Sequence, residues 1–170
     1  MIKIVIIADT HVPKRARDLP DEVWRAVDTA DVVFHAGDWV DVATLDALEA
    51  RSRRLMGVFG NNDGTELRAR LPEVAHVTLD GVRFAMVHET GQAAGREARA
   101  ERAFPDTDVL IFGHSHIPWN SQSPSGLHLL NPGSPTDRRR QPVATFLTAD
   151  LVDSSLRNVE LVELPARTDG

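Results

Sequence analysis

The sequence predicts an α/β fold with two β-sheets in one domain spanning residues 1–170. Two observations carry that reading. In the first third of the chain, short β-branched apolar runs alternate with helical segments at the spacing of parallel βαβ units. From Glu73 onward, hairpin and meander signals replace that alternation.

The elements follow in order. IKIVIIA, residues 2–8, is a short β-branched run stopped by Asp9, the signature of a buried strand. A helix is expected over 20–30, with Pro20 at its start and acidic residues just behind. DVVFHAGD (31–38) reads as a second strand, DVATLDALEA (41–50) as a helix and RRLMGVFG (53–60) as a third strand. In EVAHVTLDGVRFAMVH (73–88), Asp80-Gly81 between two apolar segments predicts a hairpin. Residues 92–103 form a polar, alanine-rich helix, and DVLIFGH (108–114) is another buried strand. LHLLN (127–131), PVATFLTA (142–149) and RNVELVEL (157–164) read as β, with a turn near Asp153-Ser154. The pattern makes the first sheet mixed and largely parallel and the second antiparallel.

Composition narrows the classes of function. With 42% hydrophobic and 26% charged residues the chain is ordinary for a globular protein. A net charge of −6 argues against nucleic-acid or anionic-membrane binding. The absence of cysteine excludes disulfides, thiolate metal sites and thiol nucleophiles. The apolar run Ile4–Ala8 is too short for a secretory leader, and no stretch approaches the ~20 apolar residues of a membrane span. A cytoplasmic location is the expectation.

Polar residues collect at the carboxyl ends of the predicted strands, where open α/β sheets bind ligands. The first strand delivers Asp9 and His11, the second Gly37-Asp38, and the third Gly60-Asn61-Asn62-Asp63. The hairpin delivers His88-Glu89, and the strand at 108–112 delivers His114 and His116. Taken singly, each block reads as a turn, a helix cap or a surface histidine. Together, Asp9, His11, Asp38, Asn61, His88, His114 and His116 make seven N/O donors, more than one ion needs and well suited to two ions sharing a carboxylate.

The series DTH, GD, GNND, H, GHSH, in this order and spacing, resembles the calcineurin-like metallophosphoesterase family, especially its small YfcE-type phosphodiesterases. The resemblance implies a four-layer α/β/β/α sandwich of two mixed sheets with a dinuclear site at one sheet edge. It implies that Asp9, His11 and His116 hold one metal, that Asn61, His88 and His114 hold the other, and that Asp38 bridges them. Asp38, Asn61 and His88 are the expected catalytic residues. Two divalent ions are implied, Mn²⁺ first, with Fe, Zn²⁺, Ni²⁺ or Co²⁺ as alternatives. The implied reaction is hydrolysis of a small phosphodiester by a metal-bound hydroxide. The rival readings are a phosphomonoesterase, a nuclease or nucleotide pyrophosphatase, and a non-catalytic protein-interaction scaffold of the same fold. Assembly into an oligomer is left open.

The sequence departs from the family at two positions. Larger members carry a histidine where this chain has Asn62, which cannot protonate a leaving group. Small relatives often have glycine where Glu89 stands; a solvated carboxylate is expected there, and the alternative is one that orients a ligand. NPGS (131–134) is a further family block. Arg138, Arg139 and Arg140 read as a solvated loop, or as a source of one phosphate contact. His35 is expected as a buried or supporting ring and Trp24 as core. Trp39 and Trp119 are candidates for an apolar wall or a base platform beside the site.

Overall fold

The computed structural model describes residues 1–166. Its strands are β1 (Ile2–Ile7), β2 (Val32–His35), β3 (Leu55–Gly57), β4 (Val74–Leu79), β5 (Val82–Val87), β6 (Val109–Ile111), β7 (Trp119–Gln122), β8 (His128–Asn131), β9 (Thr145–Val152) and β10 (Ser155–Glu163). Its helices are α1 (Asp21–Thr29), α2 (Val42–Arg51), α3 (Thr65–Arg70) and α4 (Arg96–Ala103). One sheet has the order β10-β9-β1-β2-β3 and the other β4-β5-β6-β8-β7.

Both sheets are mixed. In the first, β1, β2 and β3 run parallel, while β9 joins β1 and β10 joins β9 antiparallel. The second is not the antiparallel sheet that its sequence pattern suggests. β6 pairs parallel with both β5 and β8, and only the two edge pairs are antiparallel. β9 and β10 cross over to the first sheet. Alternating apolar residues state which faces of a strand are buried, not which strand lies beside it.

Period-two alternation builds three cores and therefore four layers. Ile4 and Ile6 of β1, with Val32 and Phe34 of β2, face Phe84 and Met86 of β5 and Val109 and Ile111 of β6 between the sheets. The opposite faces, Val5, Ile7 and Val33, pack on Val23, Trp24 and Val27 of α1 and Leu45 and Leu48 of α2. On the far side, Ala85, Leu110 and Leu129 pack against Ala100 of α4. Phe34, 1% exposed, stacks on Phe84 with ring centroids 5.2 Å apart, joining the sheets. Phe34→Ala is expected to cost about 3–5 kcal/mol, read as a lower urea midpoint with an unchanged slope; a loss under about 1 kcal/mol would contradict this packing.

The ends of the elements set up the site. β2 stops at His35 because the next residues turn: Gly37 has φ 102° and Asp38 φ 60°. α4 begins at Arg96, later than the predicted 92, because Gly95 sits left-handed at φ 70°. The strand predicted over 53–60 contracts to Leu55–Gly57, freeing the Gly60–Asp63 loop. The short elements α3 and β7 have no counterpart in the sequence reading. No helix among the described residues is long and apolar enough to cross a membrane.

Candidate metal centre

The structure brings all seven predicted donors into one small volume, from loops at the carboxyl ends of β1, β2, β3, β5 and β6. Five of them, Asp9, His11, Asp38, His114 and His116, have left-handed backbones, with φ between 45° and 76°. Non-glycine residues hold that conformation at a cost and only where the surroundings enforce it, a pattern concentrated at functional sites.

Two groups of donors form. In one, His116 Nε2 lies 3.7 Å and His11 Nε2 4.0 Å from Asp9 Oδ1. In the other, His88 Nε2 lies 3.3 Å from Asp38 Oδ2, 3.0 Å from Asn61 Oδ1 and 3.3 Å from His114 Nδ1. Asp38 Oδ2 is also 3.5 Å from His11 Nε2, so one carboxylate oxygen faces both groups.

The fit to cations can be judged from hydrogen bonding alone. Asp9 Oδ1, His11 Nε2 and His116 Nε2 are buried with no hydrogen-bond partner, a costly state for three polar atoms facing one another. Two donors about 2.0–2.2 Å from a shared ion lie roughly 3.0–3.5 Å apart, close to the spacings found. A divalent ion in the Asp9 group would satisfy all three orphaned atoms.

The surroundings fix which nitrogen each ring presents. His88 Nδ1 donates to Ala36 O at 2.7 Å, and His116 Nδ1 donates to Asp137 O at 2.6 Å, leaving each Nε2 to face the site. His114 turns Nδ1 inward, with Nε2 3.7 Å from Glu89 Oε1. Glu89 remains largely exposed, a carboxylate beside His114 that is too far from it for a hydrogen bond.

Asp38 is held by Asn62, whose backbone N–H donates to Oδ1 at 2.9 Å and whose Nδ2 donates to Oδ2 at 3.0 Å. Burial pushes the Asp38 carboxyl up, but the His88 hydrogen bond and charge, with these donors, outweigh it and hold it below the usual range. Gly60 lies so close that a Cβ there would overlap Asp38 Oδ1, which explains the glycine before Asn61.

The sequence reading named Asp63 and the NPGS block without assigning what they support. The buried Asp63 carboxylate accepts from the backbone N–H groups of Asp38 (3.0 Å), Val40 (2.7 Å) and Gly60 (2.7 Å), tying two ligand loops together. In the NPGS block, Ser134 Oγ donates to Asp9 O at 2.8 Å and Asn131 Nδ2 to Gly113 O at 3.1 Å. These contacts join residues up to 125 apart, so no local pattern announces them.

His35 is the expected buried ring, hydrogen-bonded to Thr10 Oγ1 at 3.0 Å. Trp39 is neither a wall nor a platform for substrate. It is fully buried, stacks on His35 at 3.6 Å and donates to Val58 O. Trp119 stands apart, 4.4 Å from the Arg96 guanidinium in the outer core. Of the three consecutive arginines, Arg138 bonds back to Gln141 O, whereas Arg139 Nε lies 4.0 Å from Asp137 and its charge acts on Asp9, His11 and His116.

Proton competition follows from burial. Burial pushes the Asp9 carboxyl up to about 7, against the charge of His88. His88 is pulled down by burial but raised overall by Asp38 and Asp9. Burial pushes His116 down to about 4 and also lowers His11. In the metal-free chain, Asp9 and His88 thus hold protons at mildly acidic pH, while His116 does not. An ion must displace those protons, so Mn²⁺ affinity is expected to rise from pH 5 to 7 by roughly 10–100-fold per unit, with the Asp9 contribution levelling off above about 7. Calorimetry in buffers of different ionisation enthalpy should count one to two protons released per chain at pH 6; affinity independent of pH would contradict it.

A pair of carboxylate–imidazole groups at the strand ends of two packed sheets defines a class: α/β sandwiches equipped to hold two ions side by side. The chain belongs to the calcineurin-like phosphoesterase superfamily, whose domain model matches residues 2–154. A probable metallophosphoesterase of Methanothermobacter thermautotrophicus is 33% identical over 153 residues, covering 86% of each chain. A Thermotoga maritima protein with a solution structure is 31% identical, with a TM-score of 0.76 over 96% of this chain and 100% of that one. Vps29 of Entamoeba histolytica, solved with Zn²⁺, shares the fold at 24% identity and a TM-score of 0.73, covering 95% of this chain and 99% of its own.

Proposed function

We propose that this chain is a two-metal phosphodiesterase, with Asp9, His11 and His116 as ligands of one ion, Asn61, His88 and His114 as ligands of the other, and Asp38 shared. The observation that carries the reading is Asp38 Oδ2, set 3.5 Å from His11 Nε2 and 3.3 Å from His88 Nε2 between the two groups. Divalent ions there supply Lewis acidity, lowering the pKa of a water and offsetting charge on phosphoryl oxygens; manganese is the first candidate, and the same donors suit Fe, Zn²⁺, Ni²⁺ and Co²⁺.

The chain's own residues do the positioning. Asn62 holds both Asp38 oxygens, so the shared carboxylate does not rotate as substrate enters. Ala36 O and Asp137 O hold the His88 and His116 imidazoles in the tautomers that present Nε2 to the ions. Of the three consecutive arginines, Arg139 is the one proposed to meet a phosphate oxygen, since its charge acts on Asp9, His11 and His116. Water oxygen bonds to phosphorus, its released proton passing to solvent, as the ester P–O bond breaks. The departing oxygen takes its proton from solvent, because the Asn62 amide has none to give.

A diester rather than a monoester is favoured by space. A cleft of about 460 Å³ opens from Asn61 and His88, with room for a second ester arm. The test is turnover of bis(4-nitrophenyl) phosphate against 4-nitrophenyl phosphate, with Mn²⁺ and with chelator. The diester should react faster, and chelator should abolish the reaction. If no phosphate ester reacts with any metal, the interaction-scaffold reading of this fold replaces it.

A further inference from the structure

The cleft beside the second donor group has its own chemistry. Besides Asn61 and His88 its walls include Phe59, Arg68, Val87 and Glu89. Its volume of about 460 Å³ falls within the roughly 300–1,000 Å³ of small-molecule sites and is far more than a phosphate needs.

Arg68 is the distinctive group. Its guanidinium lies 4.5 Å above the Phe59 ring. Nε donates to Asp63 O at 2.7 Å and Nη2 to Gly60 O at 3.4 Å. Those acceptors are backbone carbonyls. Among the described residues no carboxylate pairs with Arg68, whereas Arg51 and Arg83 each hold one and Arg70 holds two. The plane of Arg68 is thus fixed by the loop that carries Asn61, and its charge is left for the cleft.

An uncompensated arginine attracts either a second phosphate or a flat π-system. Two carboxylates, Glu73 and Glu89, also line the cleft and repel a second phosphate. They suit hydroxyl and amino donors instead. A flat cation stacked on an aromatic ring, an apolar Val87 and two acceptors together match a nucleobase with its ribose.

We infer that the second arm of the substrate is a nucleoside, its base stacked at Arg68 and Phe59 and its phosphate at the candidate ions, so that Arg68 is a specificity-determining residue. The placement of the phosphate rests on the function proposed above; the base subsite does not.

Binding separates the two. With the metal-loaded chain, calorimetry compares 5′-AMP, ribose 5-phosphate, inorganic phosphate and pyrophosphate. AMP should bind at least about tenfold more tightly than ribose 5-phosphate, the gain expected of one stacked base, and Arg68→Gln should erase that preference while two ions remain bound. Adenosine alone, added to the metal-free chain, should shift the amide resonances of Phe59, Arg68 and Gly91; this holds even if no ester is ever hydrolysed. Equal affinity for AMP and ribose 5-phosphate would overturn the inference. So would a tenfold preference for pyrophosphate over phosphate without one for AMP, which assigns the cleft to a second phosphate. An equal loss of AMP and ribose 5-phosphate binding in Arg68→Gln would also overturn it, leaving Arg68 only as a brace for the Asn61 loop.

Discussion

Asp38→Asn is expected to lose metal and turnover together. The substitution keeps the size of the side chain but removes the charge that two cations would share. It also places an amide N–H₂ against donors. Asn62 N–H fixes Oδ1, so the new amide nitrogen would sit where Oδ2 now accepts from Asn62 Nδ2 and faces His11 and His88. Losing a residue that merely supports a ligand costs roughly 10–100-fold in metal affinity; losing the shared ligand should exceed that, with hydrolysis falling at least in proportion. Metal content after dialysis and turnover at saturating Mn²⁺ measure the two effects. A variant that keeps two ions and full activity would remove Asp38 from the bridging role.

The second large effect concerns the leaving group. General acid catalysis contributes about 10²–10⁴-fold where a side chain supplies it. Asn62 supplies no proton here, and both of its donor groups are committed to Asp38. His35 cannot substitute, because it is fully buried with hydrogen bonds at both nitrogens. Departure should therefore depend steeply on leaving-group pKa, and aryl diesters should outpace alkyl diesters by more than about 10²-fold. Stopped-flow rates across a series of substituted phenyl and alkyl esters give the slope. A flat slope with chemistry rate-limiting would mean that another group acts as the acid, and Glu89, beside His114 and lining the cleft, would be the residue to replace.

The donors were legible in the sequence for a physical reason. Each follows an apolar run, and such runs become strands whose carboxyl ends gather at one edge. Asp9 after IKIVIIA and His114 after DVLIFG illustrate this. What supports the donors was not legible. Asp63 looks like any loop aspartate until its carboxylate is seen to collect three backbone N–H groups from two loops. Trp39, next to Asp38 in the chain, invites a functional role, yet the left-handed turn at Gly37 and Asp38 points it into the helix-side core. The antiparallel reading of the second sheet failed at β8, whose apolar residues fit parallel or antiparallel neighbours equally well. β7 was missed because WNSQ lies at a sheet edge and carries little apolar signal.

Two ions are expected side by side with Asp38 between them. Anomalous diffraction from crystals of the chain grown with Mn²⁺ tests this arrangement most directly. Two peaks about 3.5–4 Å apart are expected, one against Asp9, His11 and His116, the other against Asn61, His88 and His114, with the Asp38 carboxylate touching both. A single peak, or peaks that leave Asp38 out of contact, would contradict it.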